Sequence, residues 1–247
     1  MTLRSHLLPL LGLVGLLLAG APGALGEGPT PYPSKSDEAA WPGKGPIRVF
    51  AWMPVNRESF WAHRERDRGA VVFAGSSTVG NWKRLKEAFP NLKVANRGIG
   101  GDVSRGLLFR LQEDVLDLEP RALVLAIGSN DLSAHAAPAI IEENVAAIID
   151  LARARYPKLP IVLCPVIPRH NPKAPLVPGA LDDYNARLVA LGARKNVLVP
   201  DLRTPFTHPD GSQILEYFRA DHMHLSPAGY KKLGEVLAAE FARLGIE

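Results

Sequence analysis

Ser77 lies in the segment GSST, Gly75 to Thr78, directly after the apolar run Val71 to Ala74. A serine hydroxyl is a weak nucleophile until an imidazole accepts its proton and a carboxylate orients that imidazole. Both partners occur together towards the other end of the chain, in Asp221-His222-Met223-His224. Asp and His three residues apart in one loop can pair directly, so Asp221 is the expected carboxylate. Two imidazoles leave the base open between His222 and His224, and the D-x-x-H spacing favours His224. Two further segments bring hydrogen-bond donors: GIGGD, Gly98 to Asp102, and GSND, Gly128 to Asp131. Gly101 has no Cβ and can carry its N–H close to a reacting atom. Asn130 adds a side-chain amide, and Ser77 at the start of a helix offers its own N–H in the positive end of the helix dipole. Together these are the parts of acyl transfer through a covalent serine intermediate. Singly each has a plain reading, Ser77 as an N-cap and the glycine segments as turns. Four such segments in this order are hard to explain as turns.

Something must bring residues 77, 101, 130 and 224 together. Continuous apolar runs of strand length appear at Val71 to Ala74, around Val94 and Ala95, at Ala122 to Ile127, Ile161 to Val166 and Val197 to Pro200. Such runs suit parallel strands covered on both faces. Between them lie helical periodicities. Val103 to Leu118 spaces Leu107, Leu108, Leu111, Val115 and Leu118 by threes and fours, and Ala139 to Arg155, Leu181 to Ala193 and Ala228 to Leu244 follow suit. The last is entered through Ser226 as N-cap and Pro227 at the first helical position. Alternating strands and helices predict a doubly wound α/β domain with a five-stranded parallel sheet. The three glycine segments follow its first three strands. An open parallel sheet binds ligands beyond the carboxyl ends of its strands, near the switch in strand order.

Competing motifs fail on particular residues. GSSTVGNW has phosphate-loop spacing as far as Gly80, but Asn81 stands where the phosphate-binding Lys belongs and Trp82 where the Mg²⁺-binding hydroxyl belongs. GIGGD has Val103 in place of the third glycine of a dinucleotide fingerprint and follows the second strand, not the first. The α/β-hydrolase elbow needs Gly two residues after the nucleophile, where this chain has Val79. A metal held by Asp221, His222 and His224 lacks a completing cluster elsewhere, so neither a metal nor another cofactor is expected.

The flanks are read separately. Met1 to Gly26 runs from Arg4 and His6 through LLPLLGLVGLLLAG to the small residues Ala24 and Gly26, the pattern of a cleaved secretory signal. Its apolar run is shorter than the ~20 residues that span a bilayer, so no stable membrane insertion is expected after cleavage and the mature chain is expected outside the cytoplasm. Residues 27–46 are rich in Pro, Gly, Ser and charge and predict a mobile leader, which leaves 47–247 as the catalytic domain. With 29 basic against 25 acidic residues and no long basic run, the chain gives little support to nucleic-acid binding. The single cysteine, Cys164, sits in the apolar stretch PIVLCPV and is expected as a buried small hydrophobe.

The stretches NRGIGGDVSRGLLFRL, PRHNP (Pro168 to Pro172) and FTHPDG followed by DHMHLSPAGY carry a family resemblance. From about Val71 to Leu237 the chain resembles the SGNH (GDSL) hydrolase superfamily, and within it the branch of the intracellular platelet-activating-factor acetylhydrolase catalytic subunits. The resemblance implies a flavodoxin-like three-layer α/β/α fold and ester hydrolysis without metal. It also implies Ser77 as nucleophile, Gly101 and Asn130 in the oxyanion hole, and an Asp221–His224 pair. Ser76 departs from the family's Asp beside the nucleophile, and Ser129 from its Thr in the third block.

The substrate expectation is a short-chain ester, most simply acetyl on a carbohydrate or other polar alcohol. The connections beyond the strands are short, and the Pro-rich loop from His170 to Gly179 has no amphipathic pattern that could act as a lid. The alternatives are a lipase or lysophospholipase, an acyltransferase to a sugar, and a silent module binding acylated glycan. Arg169 and His170 are expected on the pocket rim or in a solvated loop. Trp52, Trp61 and Trp82 are assigned to core packing, with a sugar-stacking surface as the alternative. Oligomeric state is not legible.

Overall fold

A computed structural model describes residues 28–173 and 175–246 of the chain, so the expected signal segment, residues 1–26, lies outside the described residues. Among them a parallel sheet forms from β1 (Val71–Gly75), β2 (Val94–Gly98), β3 (Ala122–Ala126) and β4 (Ile161–Leu163) in the order β2-β1-β3-β4. Helices α1 (Trp52–Ala62) and α2 (Arg64–Asp67) precede β1. The short α3 (Ser77–Gly80) and α4 (Leu85–Ala88) link β1 to β2, and α5 (Ser104–Asp114) links β2 to β3. Next come α6 (Ser129–Ser133) and α7 (Pro138–Arg155) before β4, then α8 (Ala180–Lys195), and α9 (Pro227–Leu244) closes the fold.

Strand pleating divides the core into two layers. Val72 and Ala74 of β1 face a cluster with Leu107 and Leu111 of α5, Val145 and Ile148 of α7, and Leu188 of α8. Val71 and Phe73 face the other side, with Trp82, Phe89, and Leu233, Leu237 and Phe241 of α9. Every residue of β1 is buried, as the unbroken apolar run requires. The three-layer α/β/α arrangement follows, with helices on both faces of the sheet. Helix α9 starts as its sequence specifies: Ser226 Oγ accepts from the Gly229 N–H at 3.1 Å, and Pro227 occupies the first turn.

Two expectations need correction. Among the described residues the sheet has four strands rather than five, because Val197 to Pro200 contributes only a single parallel bridge, Leu198 to Val162. Leu198 N–H donates to Ile161 O and its carbonyl accepts from Leu163 N–H. The next rung would need an N–H on residue 200, which is proline, and the preceding residue, Asn196, is in the left-handed region as the C-cap of α8. The ladder is stopped at both ends.

Residues 28–46 are not a loose leader. Trp41 is buried and its ring stacks on Tyr32, 5.7 Å between centroids, while both pack on Phe109 of α5. Buried Arg105 donates to the carbonyls of Glu38, Trp41, Pro42 and Gly45, and Arg57 donates to Thr30 O. Asn144 closes the strap, accepting from Lys44 N–H and donating to Lys44 O. The polar composition hid this, because the acceptors are main-chain carbonyls that any residue supplies.

Cys164 is buried at the end of β4, and burial pushes its thiol up to about 12. No helix among the described residues is long and apolar enough to cross a membrane.

Candidate active site

The carboxyl ends of β1, β2 and β3 meet where the strand order reverses, and each carries one of the glycine segments. Gly75 ends β1 so close to β3 that a Cβ on it would lie 2.0 Å from Ala126 O. Only glycine fits there, and the chain then turns immediately into α3. Ser76 is buried, with its N–H on Ala126 O, and Ser77 is the first residue of α3, half-buried at the sheet edge. The helix dipole expected to support Ser77 is that of a single turn, since α3 is four residues long.

From the other end of the chain, the loop before α9 delivers the imidazole. His224 Nε2 lies 3.1 Å from Ser77 Oγ, and His224 Nδ1 lies 2.6 Å from Asp221 Oδ2. Asp221 Oδ1 also accepts from the N–H groups of Met223 and His224 at 3.0 and 2.9 Å. Burial alone would raise the Asp221 pKa, but these backbone bonds and the imidazole outweigh it and lower the carboxyl to about 2. It is therefore an anion at any ordinary pH. The loop is pinned by Arg219 N–H on His224 O, Ser226 N–H on Tyr217 O and a bridge from Phe218 to Leu225.

His222 goes elsewhere. It sits at φ +51°, in the left-handed region, and that turn separates its ring from that of His224. It lines a second cavity with His170, His208, Arg203 and Gln213. The structure thus brings His224 and Asp221 to Ser77 and does not bring His222. Among the described residues no group of three or more His, Cys, Asp or Glu side chains is placed to hold a metal.

The donor side is built by the other two segments. Gly101 adopts φ +85°, and a Cβ there would meet the Phe50 ring at 2.8 Å, so both conformation and space call for glycine. Among the described residues, the N–H groups of Ser77 and Gly101 have no hydrogen-bond acceptor. Asn130 Nδ2 donates to Asp102 O at 2.9 Å, which ties the third segment to the second and spends one of its two amide hydrogens. Asp131 fixes the same junction from below, accepting from Ser104 N–H at 3.0 Å and Ser104 Oγ–H at 2.7 Å. Burial pushes Asp131 up to about 6 against these hydrogen bonds.

Sequence reasoning missed the support beneath the loop. Arg110, wholly buried, donates through Nη2 to Gly75 O at 3.1 Å and through Nη1 to Asp114 at 3.3 Å, and it also pairs with Asp102. Arg57 reaches Asp114 from α1, and Arg97 donates to Asp114 O. The signal was present in RGLLFRLQED, where charged residues interrupt an otherwise core-facing helix.

Arg169 is at the rim as one of its two expected readings had it. Its Nη1 donates to Ser129 Oγ at 2.8 Å and Ser133 Oγ at 2.9 Å, and it borders both cavities, while His170 is exposed. Ser76 and Thr78, on either side of Ser77 in the chain, line a mainly apolar cavity of ≈ 40 Å³ with Val79, Cys164, Ile167 and Met223. Trp82 is buried as assigned, against Phe73, Phe89 and Tyr230. Trp61 is half-buried under Arg64. Trp52 is not in the core; half of its surface is exposed.

With that geometry in place, the decisive comparison is a family model. The description GDSL-like lipase/acylhydrolase family matches residues 63–232, well over half of the chain. The chain belongs to this family. It is therefore a hydrolase acting on esters. Human platelet-activating factor acetylhydrolase IB subunit alpha2 is 30% identical over 172 residues, covering 66% of this chain and 72% of the human protein. Among solved structures, a GDSL-like lipase from Bacteroides thetaiotaomicron superposes with a TM-score of 0.64 at 24% identity, over 73% of this chain and 90% of that one. An acetyl-xylooligosaccharide esterase from Geobacillus superposes at 0.57 with 19% identity, over 70% and 94%. These structural likenesses concern the fold of a GDSL hydrolase.

Proposed function

We propose that the protein hydrolyses short-chain, chiefly acetyl, esters of carbohydrates or other polar alcohols, through an acyl-enzyme on Ser77. The observation that carries the chemistry is the continuous path from Asp221 Oδ2 through the His224 ring to Ser77 Oγ, with contacts of 2.6 and 3.1 Å. The ionised Asp221 holds the proton on Nδ1, so Nε2 is left as the acceptor facing Ser77. In the first half-reaction Nε2 takes the Ser77 proton while Oγ bonds to the ester carbonyl carbon. The carbonyl oxygen becomes an oxyanion, received by the N–H groups of Ser77 and Gly101 and the remaining amide hydrogen of Asn130. His224 then gives its proton to the alcohol oxygen as that bond breaks. In the second half, His224 deprotonates a water that attacks the acyl carbon, and the proton returns to Ser77 Oγ as the acid leaves.

The small cavity beside Ser77 supports the acyl preference. At ≈ 40 Å³ it has room for about three water-sized groups, which suits a short acyl chain. The esterase from Geobacillus, whose name gives acetylated xylo-oligosaccharide as its substrate, supports the alcohol part of the reading. Export, as the N-terminal residues lead one to expect, would bring the enzyme to extracellular or envelope polymers.

The test is a series of p-nitrophenyl esters. Each methylene that fits a pocket adds about 0.8 kcal/mol, so a lipase climbs steeply with chain length. Here kcat/KM should peak between acetyl and butyryl and fall beyond. A maximum at octanoyl or longer would return the enzyme to the lipase or lysophospholipase reading. Product analysis with and without a sugar acceptor separates hydrolysis from acyl transfer, which shares the same intermediate.

A further inference from the structure

We propose that Phe50 and Trp52 form a stacking platform for a sugar ring on the alcohol side of the scissile ester, an inference that rests on the esterase reading above. The two rings lie nearly parallel, 4.6 Å between centroids and 13° between planes. They remain 38% and 50% exposed, although a buried aromatic pair would be among the largest contributors to a core. Among the described residues the other exposed large apolar side chains, Val55, Leu151, Val177, Val189 and Leu215, are aliphatic.

The platform is fixed to the catalytic loop. Trp52 Nε1–H donates to Gly100 O at 2.8 Å, which sets the plane of the indole. The Phe50 ring fills the space over Gly101 that a Cβ would need. Just after them in sequence, Met53 N–H donates to Phe50 O at 2.9 Å, and the Met53 side chain is wholly buried. The rings are thus held at the residue whose N–H faces the oxyanion position, with little freedom to swing away.

An ester has two arms, and the structure provides for them differently. The cavity assigned to the acyl arm is lined from the ends of β1, β3 and β4 and from α9, and no residue of α1 or of the Gly98–Asp102 loop lines it. The ring pair stands at the β2 edge, on the flank left for the alcohol arm. It is flat and open, with Asn56 on the next turn of α1, where its amide donates to Trp52 O at 2.7 Å. A pyranose ring presents a face of C–H bonds and an edge of hydroxyls. It can cover such a surface while its hydroxyls stay in water, as a fatty chain could not without a groove around it. Neutral sugar is therefore the occupant that the shape fits.

The test compares Trp52→Ala, Trp52→Phe and Phe50→Ala with the native enzyme on two acetate esters, acetylated xylotriose and ethyl acetate. Ethyl acetate has no ring to stack. With acetate release as the readout, Trp52→Ala should lose at least tenfold more kcat/KM on acetylated xylotriose than on ethyl acetate, mainly through KM. Phe50→Ala should show the same bias more weakly, and Trp52→Phe should recover most of it. An equal loss on both esters, carried by kcat, would overturn the platform and leave Trp52 as a residue that positions Gly100. No bias in KM would overturn it too. If native enzyme cleaves ethyl acetate but not acetylated xylotriose, the platform falls while the esterase reading stands. If it cleaves neither and Ser77 is not labelled by a fluorophosphonate, both fall.

Discussion

Arg110 and Asp102 form a fully enclosed ion pair, Nε to Oδ2 at 2.8 Å, directly beneath the loop that carries Gly101. The same guanidinium holds Gly75 O, the last carbonyl of β1 before Ser76 and Ser77. One planar cation therefore sets the distance between the nucleophile turn and the donor loop, a task for which a fork of fixed geometry is suited and a lysine is not.

This leads to the first prediction. Arg110→Lys keeps the charge but cannot bridge both partners, so kcat on p-nitrophenyl acetate should fall roughly 10- to 100-fold, the scale of a misplaced oxyanion donor, with KM moving much less. Arg110→Met should cost about 3–5 kcal/mol in urea unfolding, because Asp102 is left buried without its counter-ion. A lysine variant that is less stable yet keeps full kcat would show that the pair serves folding alone.

Ser77→Ala should lower turnover by about 10⁶-fold, as removal of a triad nucleophile does elsewhere. A fluorophosphonate should label the native enzyme at Ser77 and not at Ser76, whose surface is 2% exposed. Peptide mapping of the labelled protein decides between the two serines.

His224→Ala should nearly abolish activity, and His222→Ala should leave much of it, since the left-handed turn at His222 sends that ring to the second cavity. Prolonged treatment with a chelator should leave kcat unchanged. Steady-state assays of both variants and of chelated enzyme are sufficient, and metal-restored inhibition would count against a metal-free serine mechanism.

The fourth prediction concerns pH and stability. Asp131 is raised from its ordinary 3.8 to about 6 by burial, so the folded state binds a proton that the unfolded state releases between these values. Stability contributed by this group accordingly falls as pH rises from about 4 to about 6 and is level above that. In Asp131→Asn this component is absent. The stability difference between variant and native protein should therefore move in the variant's favour across that interval and stay constant from pH 7 to 8. Denaturant unfolding of both proteins at matched pH values measures it. A flat difference from pH 4 to 6 would mean that Asp131 titrates as an ordinary carboxylate.

Much of the site was legible because its parts are local in sequence. Asp221 and His224 share one turn, and the glycine segments follow apolar runs whose length and β-branched content mark them as strands. The helices were legible for a similar reason: Leu107, Leu111 and Val145, Ile148 repeat on one face. What escaped notice depends on long-range partners. Arg110 looks like any charged helix residue until Asp102, Asp114 and Gly75 O are seen around it. The segment from residue 28 to 46 lacks apolar runs, yet it is held by Arg57 and Arg105 through backbone carbonyls. The missing fifth strand is a subtler case. The run Val197 to Pro200 has strand composition, and a single proline removes the N–H that the ladder next requires.

The burial of Cys164 reaches beyond packing. A thiol held protonated at neutral pH, 4% exposed and on the wall of the cavity beside Ser77, reacts slowly with an alkylating agent, which must reach it through that cavity. Its labelling rate thus reports access to that cavity. One cysteine also offers no internal crosslink, so the assembly of this domain is indifferent to the redox poise of the compartment where it folds.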